Sequence, residues 1–182
     1  MPIDLETLRK YKSKGNIFVE TGTHLGNTAA MASAVGFREV YTIELADHFY
    51  KRALNRFAND RKVFPIFGDS AVKLKEILSK VTEPCVFWLD GHWSEGDTAR
   101  GPVDVPLYQE LNLIKNHSNK NHTILVDDVR LMGGEWRDIS LDKVKTLLLD
   151  INPNYQFHYE HGYLDPKLKK TIFKNDILVA SI

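Results

Sequence analysis

Five short apolar runs recur along the chain, and segments with helical periodicity separate them. The runs cover residues 17–20, 40–44, 63–67, 85–90 and 123–128. Each run is apolar throughout rather than alternating, which is typical of strands whose two faces are both covered by helices. Because a strand, a helix and a further strand require a crossover connection, the sequence predicts a mostly parallel sheet.

The segments between the runs carry the apolar stripes and boundary signals of helices. Ser70 and Ser140 are suitable N-caps, Pro106 is suitable at a first helical position, and Asn152-Pro153 ends the last stripe. Two predicted stripes are Phe49, Tyr50, Ala53, Leu54 and Phe57, within residues 47–59, and Val72, Leu74, Ile77, Leu78 and Val81. Two later helices carry Leu107, Leu111 and Ile114, and then Leu141, Val144, Leu147, Leu148 and Ile151.

The end of the chain departs from this alternation. Residues 155–163 alternate, residues 177–182 form a second strand, and only a short polar segment separates them. No helix fits between them, so the two strands are expected to pair antiparallel at one side of the sheet. The sequence predicts one α/β domain over residues 1–182, with a Rossmann-like, doubly wound sheet of seven strands, helices on both faces and a helix or arm over residues 1–15.

Composition excludes several classes of protein. The chain has 182 residues, 24 Lys and Arg against 24 Asp and Glu, and a single cysteine, Cys85. A balanced charge predicts no general nucleic-acid binding, and one cysteine excludes a disulfide scaffold. No apolar stretch approaches the length of about 18 residues that a membrane span needs. We therefore expect a cytoplasmic protein with a small-molecule partner and no membrane or nucleic-acid partner.

Each of the five runs ends in an acidic residue or is followed closely by one. These residues are Glu20, Glu44, Asp69, Asp90 and the pair Asp127 and Asp128. In an open α/β sheet, ligands bind at the carboxyl ends of the strands, near the point where the strand order reverses. So much negative charge at one edge is unfavourable unless hydroxyls, amines, a metal ion or a cationic ligand offset it. The sequence therefore predicts a ligand site among these carboxylates.

The turn after the first run contains two glycines, Gly22 and Gly26, in the spacing Gly-x-x-x-Gly. Glycines allow the backbone to approach a ligand closely and to turn into a helix whose N-terminus faces the site. The spacing differs from the dinucleotide fingerprint and from the phosphate-binding loop. Glu44 ends the next run, where an acidic side chain can bind both hydroxyls of a ribose. Together these residues predict a nucleoside site.

These motifs resemble those of class I S-adenosylmethionine-dependent methyltransferases, from about residue 17 to the end of the chain. The resemblance implies that Glu20, Gly22 and Gly26 hold the methionine part of S-adenosylmethionine. It also implies that Glu44 binds the ribose and that Asp69, with Ser70, lies at the adenine. The remaining implied cofactor contacts are Thr23, Thr28, Leu45 and Asp90.

Within that family, residues 19–23, 88–93 and 126–128 are similar to small-molecule O-methyltransferases, including metal-assisted sugar and catechol types. The resemblance implies that Asp90, Asp127 and Asp128 hold a divalent cation, and their oxygen ligands suit Mg²⁺, Mn²⁺ or Ca²⁺. Asp90 alone could instead bind the cofactor or a loop. His92 is the candidate general base beside Asp90, although it could also bind the metal or form a structural hydrogen bond. The lysine of the catechol type is missing, since Arg100 is the first cation of this loop.

Two loops are placed to enclose an acceptor, residues 91–105 and residues 129–139, and the second contains Trp136. Since the chain has no further helical domain to cover the site, we expect a homodimer. Two alternatives stay open. A nicotinamide-dependent oxidoreductase is disfavoured by the glycine spacing and by the lack of a Tyr-x-x-x-Lys pair. A non-catalytic S-adenosylmethionine-binding regulatory module is disfavoured by the acidic cluster.

Overall fold

The computed structural model describes residues 3–165 and 170–182. Its strands are β1 (Ile17–Thr21), β2 (Glu39–Glu44), β3 (Val63–Phe67), β4 (Cys85–Leu89), β5 (Thr123–Val126), β6 (Gln156–Asp165) and β7 (Lys170–Ser181). Its α-helices are α1 (Leu5–Lys12), α2 (Asn27–Ala34), α3 (Asp47–Arg56), α4 (Ser70–Leu78), α5 (Leu107–Lys115) and α6 (Leu141–Ile151). A short 3₁₀ turn covers Val129–Leu131.

The described strands form one sheet in the order β3-β2-β1-β4-β5-β7-β6. Strands β1 to β5 are parallel, and β7 is antiparallel to both β5 and β6. The predicted Rossmann-like sheet and its closing antiparallel pair are therefore confirmed. Because the strand order reverses between β1 and β4, a crevice opens where these two strands end.

Two hydrophobic layers explain why the parallel strands are apolar throughout. Phe18, Val86 and Trp88 face the layer that contains α1, α2 and α3. Their neighbours Val19 and Phe87 face the layer that contains α4, α5 and α6. Successive side chains of a strand point to opposite faces, so a strand between two helical layers needs apolar residues at every position.

The structure corrects three details of the predicted elements. Strand β7 begins at Lys170 rather than at residue 177, because it pairs with the whole length of β6. Val72 and Leu54 are 61% and 42% exposed, so neither belongs to a buried stripe as predicted. Both lie on the solvent side of their helices, where an apolar residue costs little. Residues 1–2 of the predicted arm and residues 166–169 of the predicted polar segment lie outside the described residues.

Strand β3 lies at the edge of the sheet, and Pro65 suits that position. The Lys62 carbonyl and the Gly68 N–H both bond to β2, so the backbone groups of residue 65 face away from the sheet. The missing N–H of Pro65 therefore removes no hydrogen bond between β3 and β2. It also makes the outer edge of β3 less able to pair with a strand of another molecule.

A buried pair of histidines, His117 and His122, joins segments at the opposite end of the sheet from the crevice. The Cys85 N–H donates to His122 Nδ1 at 3.1 Å, which makes that nitrogen an acceptor. His122 Nε2 then carries the proton and donates to His117 Nδ1 at 3.0 Å. His117 Nε2 donates in turn to the Val81 carbonyl at 2.8 Å. His117 Nδ1 also lies 3.2 Å from the Asn119 carbonyl. Because His122 Nδ1 accepts the Cys85 N–H, the His122 ring must be neutral.

We expect this pair to make the fold sensitive to acid. Burial, followed by the interaction with His117, lowers the pKa of His122 to about 4, whereas an unfolded histidine titrates near pH 6.5. Between these values the unfolded state binds more protons, so stability that is complete above about pH 6.5 is lost as the pH falls toward 4. Urea unfolding should show a loss of about 2 kcal/mol between pH 7 and pH 5.

The matched variants are His122→Asn and His48→Asn. The amide oxygen of an asparagine at position 122 can accept the Cys85 N–H bond without titrating, so this part of the pH dependence should disappear. His48 is exposed, and its variant should keep the dependence. Equal pH dependence in both variants would show that the buried pair is not its source.

Candidate functional site

A cleft of about 1340 Å³ lies at the carboxyl ends of the parallel strands. Its walls are the loops that follow β1, β2, β3, β4 and β5. Of the sequence-predicted site residues, ten line it: Gly22, Thr23, Thr28, Glu44, Leu45, Asp69, Ser70, Asp90, His92 and Asp128. Glu20, Gly26 and Asp127 are buried and do not line it.

The turn after β1 depends on close backbone contacts at Gly22. This residue has φ +86°, and its N–H donates to the Ile43 carbonyl at 3.0 Å. A Cβ at this position would lie 2.4 Å from the Asp90 carbonyl oxygen. Only a glycine therefore allows the turn after β1 to approach the end of β4 this closely. The approach brings together the two loops that border the crevice.

Glu44 presents a carboxylate to the cleft at the end of β2. Its two oxygens accept hydrogen bonds from the backbone N–H groups of His24 and Ala46, each at 2.7 Å. The side chain is held in one orientation and stays 8% exposed. A carboxylate oxygen can accept a second hydrogen bond, so the geometry allows it to receive the hydroxyls of a ligand.

Glu20 lies beneath the turn rather than in the cleft wall. The Thr42 hydroxyl donates to its Oε2 at 2.6 Å, and the Thr28 hydroxyl also interacts with it. Burial raises the pKa of Glu20 to about 8, with smaller contributions from the charges of Asp90 and Glu44. Through these hydroxyls, Glu20 connects the first turn of α2 to β2.

Asp69 and Ser70 begin α4 at the side of the cleft next to β3. Asp69 Oδ1 accepts the Ala71 N–H at 2.9 Å, so Asp69 and not the predicted Ser70 is the N-cap, and Ser70 is the first residue of the helix. Ser70 is buried, and its hydroxyl bonds to Glu110 of α5. The N-terminus of α4 therefore faces the cleft, where backbone N–H groups can meet a polar ligand.

His92 bridges two carboxylates at the other side of the cleft. Its Nδ1 lies 3.4 Å from Asp90 Oδ1, and its Nε2 lies 3.3 Å from Asp128 Oδ2. The ring also packs against Trp136, with 4.8 Å between ring centroids. Either carboxylate can accept a hydrogen bond from the ring, so the opposite nitrogen is available for proton transfer.

The acidic residues form two overlapping groups with metal-ligand spacing. Ligand atoms of Asp90, His92 and Asp128 lie within 4.8 Å of one another, as do those of Asp127, Asp128 and Asp176. The predicted ligands Asp90, Asp127 and Asp128 are thus divided between two groups that share Asp128. Burial, followed by the charge of Asp90, raises the pKa of Asp127 well above its usual range.

Arg130 stabilises Asp128, and Asp176 of β7 holds Arg130 in place. Arg130 Nη1 lies 2.5 Å from Asp128 Oδ1 and also bonds to Asp176, which is 1% exposed. The Arg130 N–H donates to Asp176 Oδ1 at 2.9 Å, and the guanidinium lies over the Phe173 ring. Asp176 was not predicted as a site residue. Its signal in the sequence is an acid directly before the apolar run of the last strand.

Glu110 was also missed. It is 1% exposed and lies on the apolar stripe of α5. Because it follows Leu107 by three residues and precedes Ile114 by four, it occupies the same face of the helix as both. An acid on a buried stripe is the signal that could have identified it.

The loop after β4 is held in place by its own contacts. Arg100 lies 4.4 Å above the Trp93 ring and forms two hydrogen bonds to Asp104, at 2.7 and 2.9 Å. The Trp93 N–H donates to the Asp104 carbonyl at 2.8 Å. Together with Trp136 and Tyr108, these residues line the cleft.

The variants Gly22→Ala and Gly36→Ala test the close approach at Gly22. Both glycines have positive φ, but a Cβ at Gly36 meets nothing within 4 Å. Gly36→Ala should therefore lower the free energy of unfolding by about 1–2 kcal/mol, the cost of the backbone conformation alone. Gly22→Ala should lower the free energy of unfolding clearly more, because the chain must also move away from Asp90. Equal losses in urea unfolding would contradict the proposed role of this contact.

The sequence matches no protein-family model and no curated protein sequence. Solved structures do match. The O-methyltransferase from Bacillus cereus in complex with SAH has a TM-score of 0.64 and 15% identity, over 98% of this chain and 80% of that one. TomG from Streptomyces achromogenes, an O-methyltransferase in complex with SAM, has a TM-score of 0.61 and 19% identity, over 98% and 78%. An rRNA methylase from Streptococcus thermophilus has a TM-score of 0.52 and 13% identity, over 97% and 91%.

These likenesses cover almost the whole chain but rest on few identical residues, so they establish the fold. Across the residues described, no helix has the length and apolar character needed to cross a membrane. The chain has the Rossmann-like fold of the class I S-adenosylmethionine-dependent methyltransferases.

Proposed function

We propose that the protein is an S-adenosylmethionine-dependent methyltransferase that methylates an oxygen of a small molecule, such as a sugar, polyol or phenol. The observation that carries this proposal is one continuous cleft with two chemically different halves. One half has the Gly22 turn, Glu44 and the N-terminus of α4. The other has His92, carboxylates and aromatic rings.

The first half has the features that an adenosyl compound needs. Glu44 is oriented by two backbone N–H groups and can accept hydroxyls of the ribose. Asp69 and Ser70 also line the cleft, and the family resemblance implies that they meet the adenine. The surrounding carboxylates favour a ligand with positive charge. S-adenosylmethionine, when bound, supplies a methyl group on a positively charged sulfur.

The second half has groups that can bind and deprotonate an acceptor. Trp93, Trp136 and Tyr108 offer flat apolar faces on which a sugar or a phenol can stack. A ring nitrogen of His92 takes the proton of the acceptor hydroxyl, while the other nitrogen donates to Asp90 or Asp128. These residues hold the acceptor oxygen and remove its proton in one place, which is what an in-line methyl transfer requires.

We further propose that a divalent cation assists, held by the predicted ligands Asp90, Asp127 and Asp128. Their carboxylate oxygens belong to two overlapping candidate donor sets, one with His92 and the other with Asp176, and both sets share Asp128. Oxygen donors of this kind fit Mg²⁺, Mn²⁺ or Ca²⁺. Such an ion would act as a Lewis acid that lowers the pKa of an acceptor hydroxyl. The three aspartates would hold it.

Calorimetric titration tests the cofactor part of this proposal. We expect micromolar binding of S-adenosylmethionine and S-adenosylhomocysteine and no binding of NAD. Glu44→Gln should weaken binding about 10- to 100-fold, since a hydrogen bond to a charged group contributes about 1.5–3 kcal/mol. Glu39→Gln, at the other end of β2, is the control and should bind as the wild type does. Binding of NAD alone, or of none of the three, would refute the proposal.

Manganese binding tests the metal part separately, because it needs no acceptor. Titration of Mn²⁺, followed by electron paramagnetic resonance, should detect one site in the wild type and a loss of affinity of at least 10-fold in Asp90→Asn. Asp47→Asn, an exposed aspartate on α3, should bind as the wild type does. If Mn²⁺ does not bind, or if Asp90→Asn binds it equally well, the metal proposal fails and the His92 proposal stands alone.

A further inference from the structure

Glu110 is a buried carboxylate to which the proposed reaction assigns no role. It projects from α5 and is 1% exposed. Its Oε1 has no hydrogen-bond partner among the residues that the structure describes. The same oxygen would lie 3.0 Å from a Cβ at Gly91, so it sits directly behind the loop that follows β4. A buried acid with an oxygen left unpaired is costly and calls for a physical reason.

The carboxylate interacts with hydroxyls from two different strand ends. Both Thr21, at the end of β1, and Ser70, at the start of α4, interact with it through their hydroxyl groups and lower its pKa. Thr21 Oγ1 in turn accepts the Asp90 N–H at 3.2 Å. Thr21 is fully buried and Ser70 is 7% exposed, so water competes little for these bonds. A continuous path of polar interactions therefore runs from the Asp90 backbone through the Thr21 hydroxyl to Glu110, and on to Ser70.

This path joins the segments that form the cofactor half of the cleft. Thr21 precedes Gly22, Ser70 follows Asp69, and the Asp90 N–H begins the loop after β4. In the parallel sheet these segments follow β1, β3 and β4, and β3 is not adjacent to β1 or β4. Glu110 thus lies behind the cleft wall. Its interactions connect the loop after β3 to the loops after β1 and β4.

We propose that Glu110 is a positioning residue for cofactor binding, which holds the loops after β1, β3 and β4 in the arrangement that an adenosyl compound needs. This inference rests on the proposed function of the same cleft. Glu110 acts through Thr21 and Ser70, and it does not line the large cleft itself.

The fold does not need an acid at this position. Leu107, Leu111 and Ile114 already form the buried stripe of α5, and a leucine at residue 110 would extend it. Burial, opposed by the bonds from Ser70 and Thr21, raises the pKa of Glu110 to about 7. The repulsion from Asp69 and Asp90 adds to this effect. A buried acid that is destabilised by desolvation and charge repulsion can often be replaced by an apolar residue without loss of stability.

The decisive variants are Glu110→Leu and Glu110→Gln, compared by calorimetric titration of S-adenosylhomocysteine and by urea unfolding. Glu110→Leu removes the acceptor, and we expect at least 10-fold weaker binding while the urea midpoint stays equal or rises. Glu110→Gln keeps an acceptor oxygen for the two hydroxyls and should restore binding to within about 3-fold of the wild type. Glu76→Gln, the same change at a half-exposed glutamate of α4, should leave both readouts unchanged.

The outcomes separate this inference from the proposed function. If the wild type does not bind S-adenosylhomocysteine, both fail. If the wild type binds and a folded Glu110→Leu binds equally well, only the role of Glu110 is refuted. If Glu110→Leu does not fold, Thr21→Val decides: weaker binding with retained stability supports the positioning role, and unchanged affinity overturns it.

Discussion

The concentration of buried carboxylates at one edge of the sheet is the constraint to which the rest of the structure responds. Glu20, Glu44, Asp127 and Asp128 are all less than a tenth exposed, and their charges repel one another. The protein offsets this repulsion in different ways: threonine hydroxyls at Glu20, backbone N–H groups at Glu44, and Arg130 with His92 at Asp128. The edge that results favours a cationic ligand over an anionic one.

The acids that end parallel strands could be predicted from the sequence, because a strand end is a local feature of the chain. Glu44, Asp69 and Asp90 line the cleft for that reason. Asp176 and Glu110 could not be placed in the same way. Asp176 reaches Arg130 only because β7 inserts beside β5, and Glu110 reaches Thr21 only because α5 packs across the ends of β1 and β4. Strand order and helix docking are properties of the tertiary structure, and the local periodicity of the sequence does not predict them.

The same distinction explains the errors in the fold. Periodicity locates an apolar run but does not show whether a neighbouring element covers it. For this reason periodicity predicts a buried position for Val72, which is exposed in the structure. The sequence of strand β3 is as apolar as those of the central strands. Nevertheless, β3 lies at the edge of the sheet, and Phe64 and Phe67 are partly exposed to solvent. The polar first half of β7 forms a strand because β6 supplies its hydrogen bonds. In each case a partner that is distant in sequence decides the outcome.

The two catalytic roles proposed for this edge compete for the same atoms. Asp128 directs one oxygen to Arg130 and the other to His92. A cation among Asp90, His92 and Asp128 would occupy a ring nitrogen that His92 needs for proton transfer. A cation among Asp127, Asp128 and Asp176 would instead displace the Arg130 guanidinium and leave the His92 ring in place. Metal assistance and base catalysis are therefore compatible when the ion is held by the aspartates alone, because a ring nitrogen of His92 then keeps the lone pair that accepts the proton.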